Sequence, residues 1–232
     1  MKIHLAPEKI FAFGSVTFTN TFILSVLIII ALFFISKLIT SRLSLIPKRL
    51  QGFFEAVMEG ILNFMETVLG DRKQVLKFFP LTATIFIFIL FSNWFEILPG
   101  LGSIFVRSPS SDLNFTIALA VVSVTAIQYY GIRQAGFFKY GKKFINLENP
   151  IKFFVGILEI ISEMAKVVSF SFRLFGNIFA GEALLIVVYY LVPYAAPLPF
   201  LFLEIFVGFV QALVFSMLTL VFLKIATAEG GH

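Results

Sequence analysis

Arg173 sits near the middle of residues 151–192, a stretch without proline, made mostly of Phe, Ile, Leu and Val, that also carries Lys152, Glu159, Glu163, Lys166 and Glu182. A guanidinium stays charged at any biological pH, and at the centre of a bilayer it costs roughly 2.5 to 3.5 kcal/mol on insertion scales. Ionisable groups in such a setting mark ion or proton pathways by default. The residue types therefore point to movement of charge through lipid, and their spacing decides which of them can cooperate.

Advancing about 100° per residue along a helix, Glu159, Ser162, Lys166, Ser169 and Asn177 all fall within about 40° of Arg173, and Glu163 borders them at about 80°. Glu182 lies about 180° away and roughly 13 Å further along the axis. A continuous polar line between both surfaces would leak. A stripe ending near Arg173, with an offset carboxylate on another face, describes two half-paths that do not meet within the chain. On the last apolar helix Glu204, Gly208, Gln211 and Phe215 recur on one side, and a hairpin between the two helices sets Glu204 at the depth of Glu182. Carboxylates in an apolar leaflet suit proton exchange, because desolvation and mutual repulsion oppose holding both charged. A static alternative stays open, in which Glu182 or Glu204 simply neutralises Arg173, although Glu182 points away from it on its own helix. Gly176 and Ala180 lie on or beside the Arg173 face and admit a close helix neighbour, as they would in ordinary helix packing.

The elements that must hold these groups are membrane spans. Of the 232 residues 59% are hydrophobic and 13% charged, with a mean hydropathy of +0.98, whereas soluble domains carry about 25% charged residues. The pattern predicts an all-α polytopic membrane protein, a single membrane domain over residues 1–232. Five spans are expected: 10–36, 78–97, 113–133, 150–192 and 198–228. The first is an uncleaved helix, since its apolar run exceeds a signal-peptide core. The fourth, as one helix, would reach roughly 60 Å, twice a hydrocarbon core of ~30 Å, so it must tilt strongly or project. Pro193, Pro197 and Pro199 place a turn between it and the fifth, making a helical hairpin.

Residues 48–70 carry Glu55, Glu59, Asn63 and Glu66 on one side and Leu50, Phe54, Val57, Met58, Ile61, Met65 and Val68 on the other. That is an amphipathic surface helix, packed on the membrane or against a soluble partner. A second interfacial stretch, residues 137–149, contains Lys139, Lys142 and Lys143.

Basic residues orient the bundle. With the N-terminus outside, the inner flanks hold Lys37, Arg42, Lys48, Arg49, Arg72, Lys73, Lys77, Arg133, Lys139, Lys142, Lys143, Lys152 and Lys224, against Lys2, Lys9 and Arg107 outside. This obeys the positive-inside rule with an odd number of spans and puts the C-terminus inside. The net charge of +5 thus orients the protein and does not suggest nucleic acid. The absence of cysteine excludes disulfides and thiolate chemistry. No nucleotide-binding motif is present, and neither a cofactor nor a metal is expected.

The run SFRLFGNIFAGE, Ser171 to Glu182, resembles the signature of the membrane-embedded a subunit of F-type ATP synthases. The resemblance extends to SNWFEILPG at Ser92 to Gly100, to SPSSDLNFTIALA at Ser108 to Ala120 and to Gln211, and so covers nearly the whole chain. It implies a non-catalytic stator that, with a rotating ring of c subunits, peripheral-stalk b subunits and the remaining ATP synthase subunits, couples proton flow to ATP synthesis or hydrolysis in an energy-transducing membrane, bacterial plasma or organellar inner. Arg173 then resembles the arginine facing the ring, Asn177 and Gln211 its polar neighbours, and Glu182 and Glu204 the outer half-channel. Glu159, Ser162, Glu163, Lys166 and Ser169 resemble inner-side positions. The family often pairs a glutamate with a histidine where Glu182 and Glu204 stand, but here the only histidines are His4 and His232. A sodium-conducting version of the same subunit, and an independent ion-coupled transporter using Arg173 for an anionic substrate, are the alternatives. A transporter of that kind often shows internal repeats and broken helices, and none is visible here.

Overall fold

The computed structural model describes residues 9–13, 16–41, 49–95, 108–144, 150–192 and 196–228. Lys2, His4, Arg42, Lys48, residues 96–100 of the SNWFEILPG run, Arg107, residues 145–149, Pro193 and His232 lie outside the described residues. The architecture is all-α apart from one short antiparallel hairpin, β1 (Lys9–Phe13) with β2 (Val16–Thr19). Among the described residues, five helices are long and apolar enough to cross a membrane. These are α1 (Asn20–Thr40), α3 (Arg72–Trp94), α4 (Leu113–Ala135), α6 (Pro150–Leu191) and α7 (Pro197–Ala228). The amphipathic α2 (Arg49–Leu69) precedes α3, and the short α5 (Phe137–Phe144) follows α4.

Two boundaries differ from the sequence reading. The first span does not begin at residue 10. Its helix starts at Asn20, where the Thr19 side chain caps it by accepting from the Phe22 amide, and residues 9–19 pair as strands instead. The sequence there alternates aromatic and β-branched residues around Gly14 and Ser15, a hairpin pattern that hydropathy alone reads as helix. The second span begins at Arg72, six residues before the uncharged run, because Asp71 caps it through the Lys73 amide. Capping chemistry, not hydropathy, sets both starts.

The core is the α3, α4 and α7 packing, onto which α6 lays one face. Small and hydroxyl residues line the contact: Thr82 and Ala83 of α3, Thr116, Ala120 and Ser123 of α4, and Ala212, Ser216 and Thr219 of α7 are buried. In lipid, where apolar association gives little drive between helices, such residues gain van der Waals contact by letting backbones approach. The hydroxyls of Thr116, Ser123, Ser216 and Thr219 are absorbed by carbonyls of their own helices, while that of Thr82 is buried without a partner. Phe170, Leu174 and Ile178 carry α6 into this core, and the Phe170 ring lies 4.9 Å from that of Phe215.

The amphipathic α2 is only partly a surface helix. Ile61, Met65 and Leu69 pack into the core, and Lys224 of α7 donates to the Leu69 carbonyl at 2.8 Å, occupying an otherwise unpaired group at the end of α2. At the same basic end α5 folds back under α4. Gly136, with φ +85°, permits the reversal, and Tyr140 fills the notch at Gly131 while donating to Gln128 at 2.6 Å.

At the opposite end α3 and α7 touch at Gly208, where a Cβ would stand 3.1 Å from that of Asn93. A Gly208→Val substitution should separate the two helices and destabilise the fold by about 1–3 kcal/mol. Thermal unfolding of the detergent-purified protein measures this, and an unchanged midpoint would show that the joint is not tight.

Candidate functional site

The ionisable groups Glu159, Glu163, Lys166, Arg173 and Glu182 of α6 are partly buried and lie beside its most exposed face. Only 11% of the apolar stretch of α6 is buried, against 44% in α3 and in α7. Phe154, Leu158, Ile161, Val168 and Phe172 are exposed along it. Arg173 is partly buried at the edge of this surface, and its Nη2 donates to Ser169 Oγ one turn back at 3.3 Å. Among the described residues no carboxylate stands within ion-pair distance of Arg173.

The stripe toward the basic end is organised as two ion pairs. Glu159 pairs with Lys143 of α5 at 2.8 Å, and Glu163 with Lys166 at 2.6 Å. The Lys166 ammonium also lies 4.8 Å from the Phe222 ring centre of α7, an arrangement that favours a cation over the ring face. Glu163 Oε2 is buried without a hydrogen bond. Ser162 and Ser169 remain exposed.

One turn beyond Arg173, Asn177 Nδ2 donates to Gln211 Oε1 at 2.7 Å and joins α6 to α7. Gln211 is itself buried, and its Nε2 has no acceptor. Glu204 lies further toward the other end, 6% exposed, with both carboxylate oxygens buried and accepting no hydrogen bond. It fits there because α6 presents Gly181, where a Cβ would stand 3.1 Å from Glu204 Oε1. The carboxylate thus lies against the residue preceding Glu182, which is half-buried. A buried acceptor without donors is open to a proton or a water.

A second polar group, absent from the sequence reading of the site, continues from Glu204. One turn along α7 the Gly208 carbonyl accepts from Asn93 Nδ2 at 2.9 Å, while Asn93 Oδ1 stays unpaired. Trp94 Nε1 donates to the Ile205 carbonyl at 3.0 Å. Beside them Ser108 Oγ donates to the Ser92 carbonyl, and the 3₁₀ turn Pro109–Ser111 is fully buried. Asp112 caps α4 through the Asn114 amide and accepts from Thr21 Oγ1 of α1 at 2.8 Å. Ser92, Asn93 and Ser110 keep unpaired polar atoms. Polar clusters buried with unpaired groups are where ordered water resides. The signal was in the sequence as the Asn in SNW and the SPSSD run, but only packing shows that Asn93 meets α7 one turn from Glu204 while the SPSSD run lies against α3 and α6.

Residues 20–224 match the family described as ATP synthase A chain. The chain belongs to that family. It is 38% identical to the ATP synthase subunit a of Campylobacter jejuni subsp. doylei, over 97% of this chain and all of the relative. The subunit of Campylobacter concisus is 40% identical over 91% of this chain and 89% of its own, and that of Helicobacter pylori is 37% identical over 88% and 89%. As an ATP synthase A chain this is a multi-pass membrane protein with bacterial relatives, and it associates with the other ATP synthase subunits.

The Asn177–Gln211 bond is the polar link between α6 and α7 nearest Arg173. A double-mutant cycle with Asn177→Ala and Gln211→Ala, read as unfolding free energy in mild detergent, should give a coupling of about 0.6 kcal/mol and below 2. Strict additivity would mean that the two amides do not interact.

Proposed function

We propose that the chain is the proton-conducting stator of a rotary ATP synthase, presenting two offset half-channels to a rotating c-ring while peripheral-stalk b subunits hold it still. The observation that carries this reading is Arg173, a permanent cation without a carboxylate partner among the described residues, on the helix that the chain covers least. Its counter-charge comes from outside the chain. A ring carboxylate facing lipid is tolerated only when neutral, because an isolated charge there is strongly disfavoured. Opposite Arg173 the ionised form is favoured and the proton leaves.

Glu159, Ser162, Glu163, Lys166 and Ser169 form the inner path, and Glu182, Glu204, Asn177 and Gln211 the outer one. The buried Ser92, Asn93, Ser110 and Asp112 group extends the outer path away from Glu204. With both carboxylate oxygens of Glu204 free of donors, protons are taken up from water in that cluster and passed toward the ring. Arg173 stands between the paths and repels a cation that would cross directly. A transmembrane potential contributes ~2.3 kcal/mol per elementary charge per 100 mV, which gives rotation its direction. The basic ends of the helices face the bacterial cytoplasm, with the N-terminus outside.

Replacing Arg173 by Ala in the assembled complex tests this. ATP-driven proton pumping into vesicles should fall to background while the head continues to hydrolyse ATP. Coupled pumping at the parental rate would sink the proposal. Substituting Glu204→Gln should slow pumping at least tenfold with the complex still assembled, measured as quenching of a pH-sensitive dye. Normal pumping would remove Glu204 from the path.

A further inference from the structure

The corner between α4 and α5 carries features that charge translocation does not use. Phe137 and Phe138 are 73% and 86% exposed, while Tyr140, three residues on, is 6% exposed and locked into α4. Large rings standing free directly beside a docked one need a covering phase. Beside them Arg133 and Lys139 are exposed cations with no carboxylate partner among the described residues, and Lys77 reaches across from α3 to Gln134 Oε1 at 3.1 Å.

The depth of this patch is set by sequence. From Phe78 to Trp94 in α3 and from Leu113 to Ile132 in α4 there is no charged residue. Lys77 and Arg133 therefore mark the edge of the hydrocarbon, where long basic side chains reach for the headgroups. Phe137 and Phe138 follow Arg133 by about one helical turn, after the reversal at Gly136, so they lie at that edge and not in bulk water. Unpaired lysines interleaved with exposed rings are what an amphipathic element at an anionic lipid surface uses, whereas protein interface cores are depleted of lysine.

We propose that the α4–α5 corner is a binding site for anionic phospholipid, with Phe137 and Phe138 in the acyl boundary and Arg133 and Lys139 against the headgroup phosphate. Lys143, held by Glu159 of α6, is not part of the site but its anchor. A Cβ at Gly156 would collide with the Phe144 carbonyl, so α5 lies directly on the first turns of α6. Lipid bound here holds α5, and α5 holds the end of the helix that carries Arg173. The site depends on the membrane-spanning architecture and is independent of proton conduction.

The test is retention of phosphatidylglycerol against phosphatidylcholine by the detergent-purified assembled complex, read by native mass spectrometry. Each surface cation contributes about fivefold, so an R133Q/K139Q variant should lose about 25-fold in phosphatidylglycerol retention, with phosphatidylcholine unchanged and R133K/K139R near the parent. Excess glycerol phosphate should not displace the lipid. Equal retention of the two lipids by the parent, equal retention by parent and R133Q/K139Q, or crosslinking of Lys139 to a neighbouring subunit would each overturn the proposal. A second measurement does not depend on those variants. The protein has one tryptophan, Trp94, at the far end of α3. An F138W variant should add fluorescence quenched more strongly by bromine near the headgroup than at mid-chain, and the reverse order would place this residue elsewhere.

Discussion

A guanidinium that cannot lose its charge sits on a helix that its own chain barely covers, and the rest of the structure is arranged around that constraint. Among the described residues Arg173 is given only the Ser169 hydroxyl. The nearby amide pair, Asn177 with Gln211, joins α6 to α7 without neutralising it. Toward the basic end of α6, Glu163 is paired with Lys166 and Glu159 with Lys143 of α5. An uncompensated cation in an apolar setting is strongly disfavoured alone, and in the proposed function its counter-charge comes from outside the chain.

Holding such a helix requires a firm wall behind it. The wall is the α3, α4 and α7 packing, whose small and hydroxyl side chains let backbones approach, those of α4 and α7 returning their hydrogen bonds to their own helices. Phe170, Leu174 and Ile178 anchor α6 to it along one stripe, leaving the neighbouring stripe with Arg173 uncovered. At the basic end α5 and the Lys224 contact with α2 tie the helix ends together. The same close packing produces the other notable environment. Because Gly181 and Gly208 bring α6 and α3 against α7, Glu204 is enclosed without donors one turn from the Gly208 carbonyl that holds Asn93.

Much of this was legible in the sequence because lipid imposes strict rules. Long uncharged runs have one structural solution in a bilayer, so α3, α4, α6 and α7 follow from hydropathy, and helical spacing places Arg173 with Ser169 and Asn177. Failures came where local chemistry outweighed hydropathy. Residues 10–19 are apolar enough to read as helix, yet their alternation and the Thr19 cap make a hairpin and a later start. Residues 49–69 read as a surface helix, but the periodic face that predicts burial cannot say whether lipid or protein covers it. In the folded chain Ile61, Met65 and Leu69 meet the core.

By itself the sequence determined the spans, the polar stripe around Arg173 and membership of the ATP synthase A chain family, since these depend on residue type and on distances along one helix. Which groups from different helices meet was decided only by tertiary structure. Asn177 lies 34 residues from Gln211, Asn93 115 from Gly208, and Thr21 91 from Asp112. Such pairings are fixed by helix crossing and by the few glycines that permit contact, and neither hydropathy nor periodicity encodes a crossing. The same holds for Arg173, whose position on the helix was readable but whose lack of a carboxylate partner among the described residues emerged only once the helices were packed.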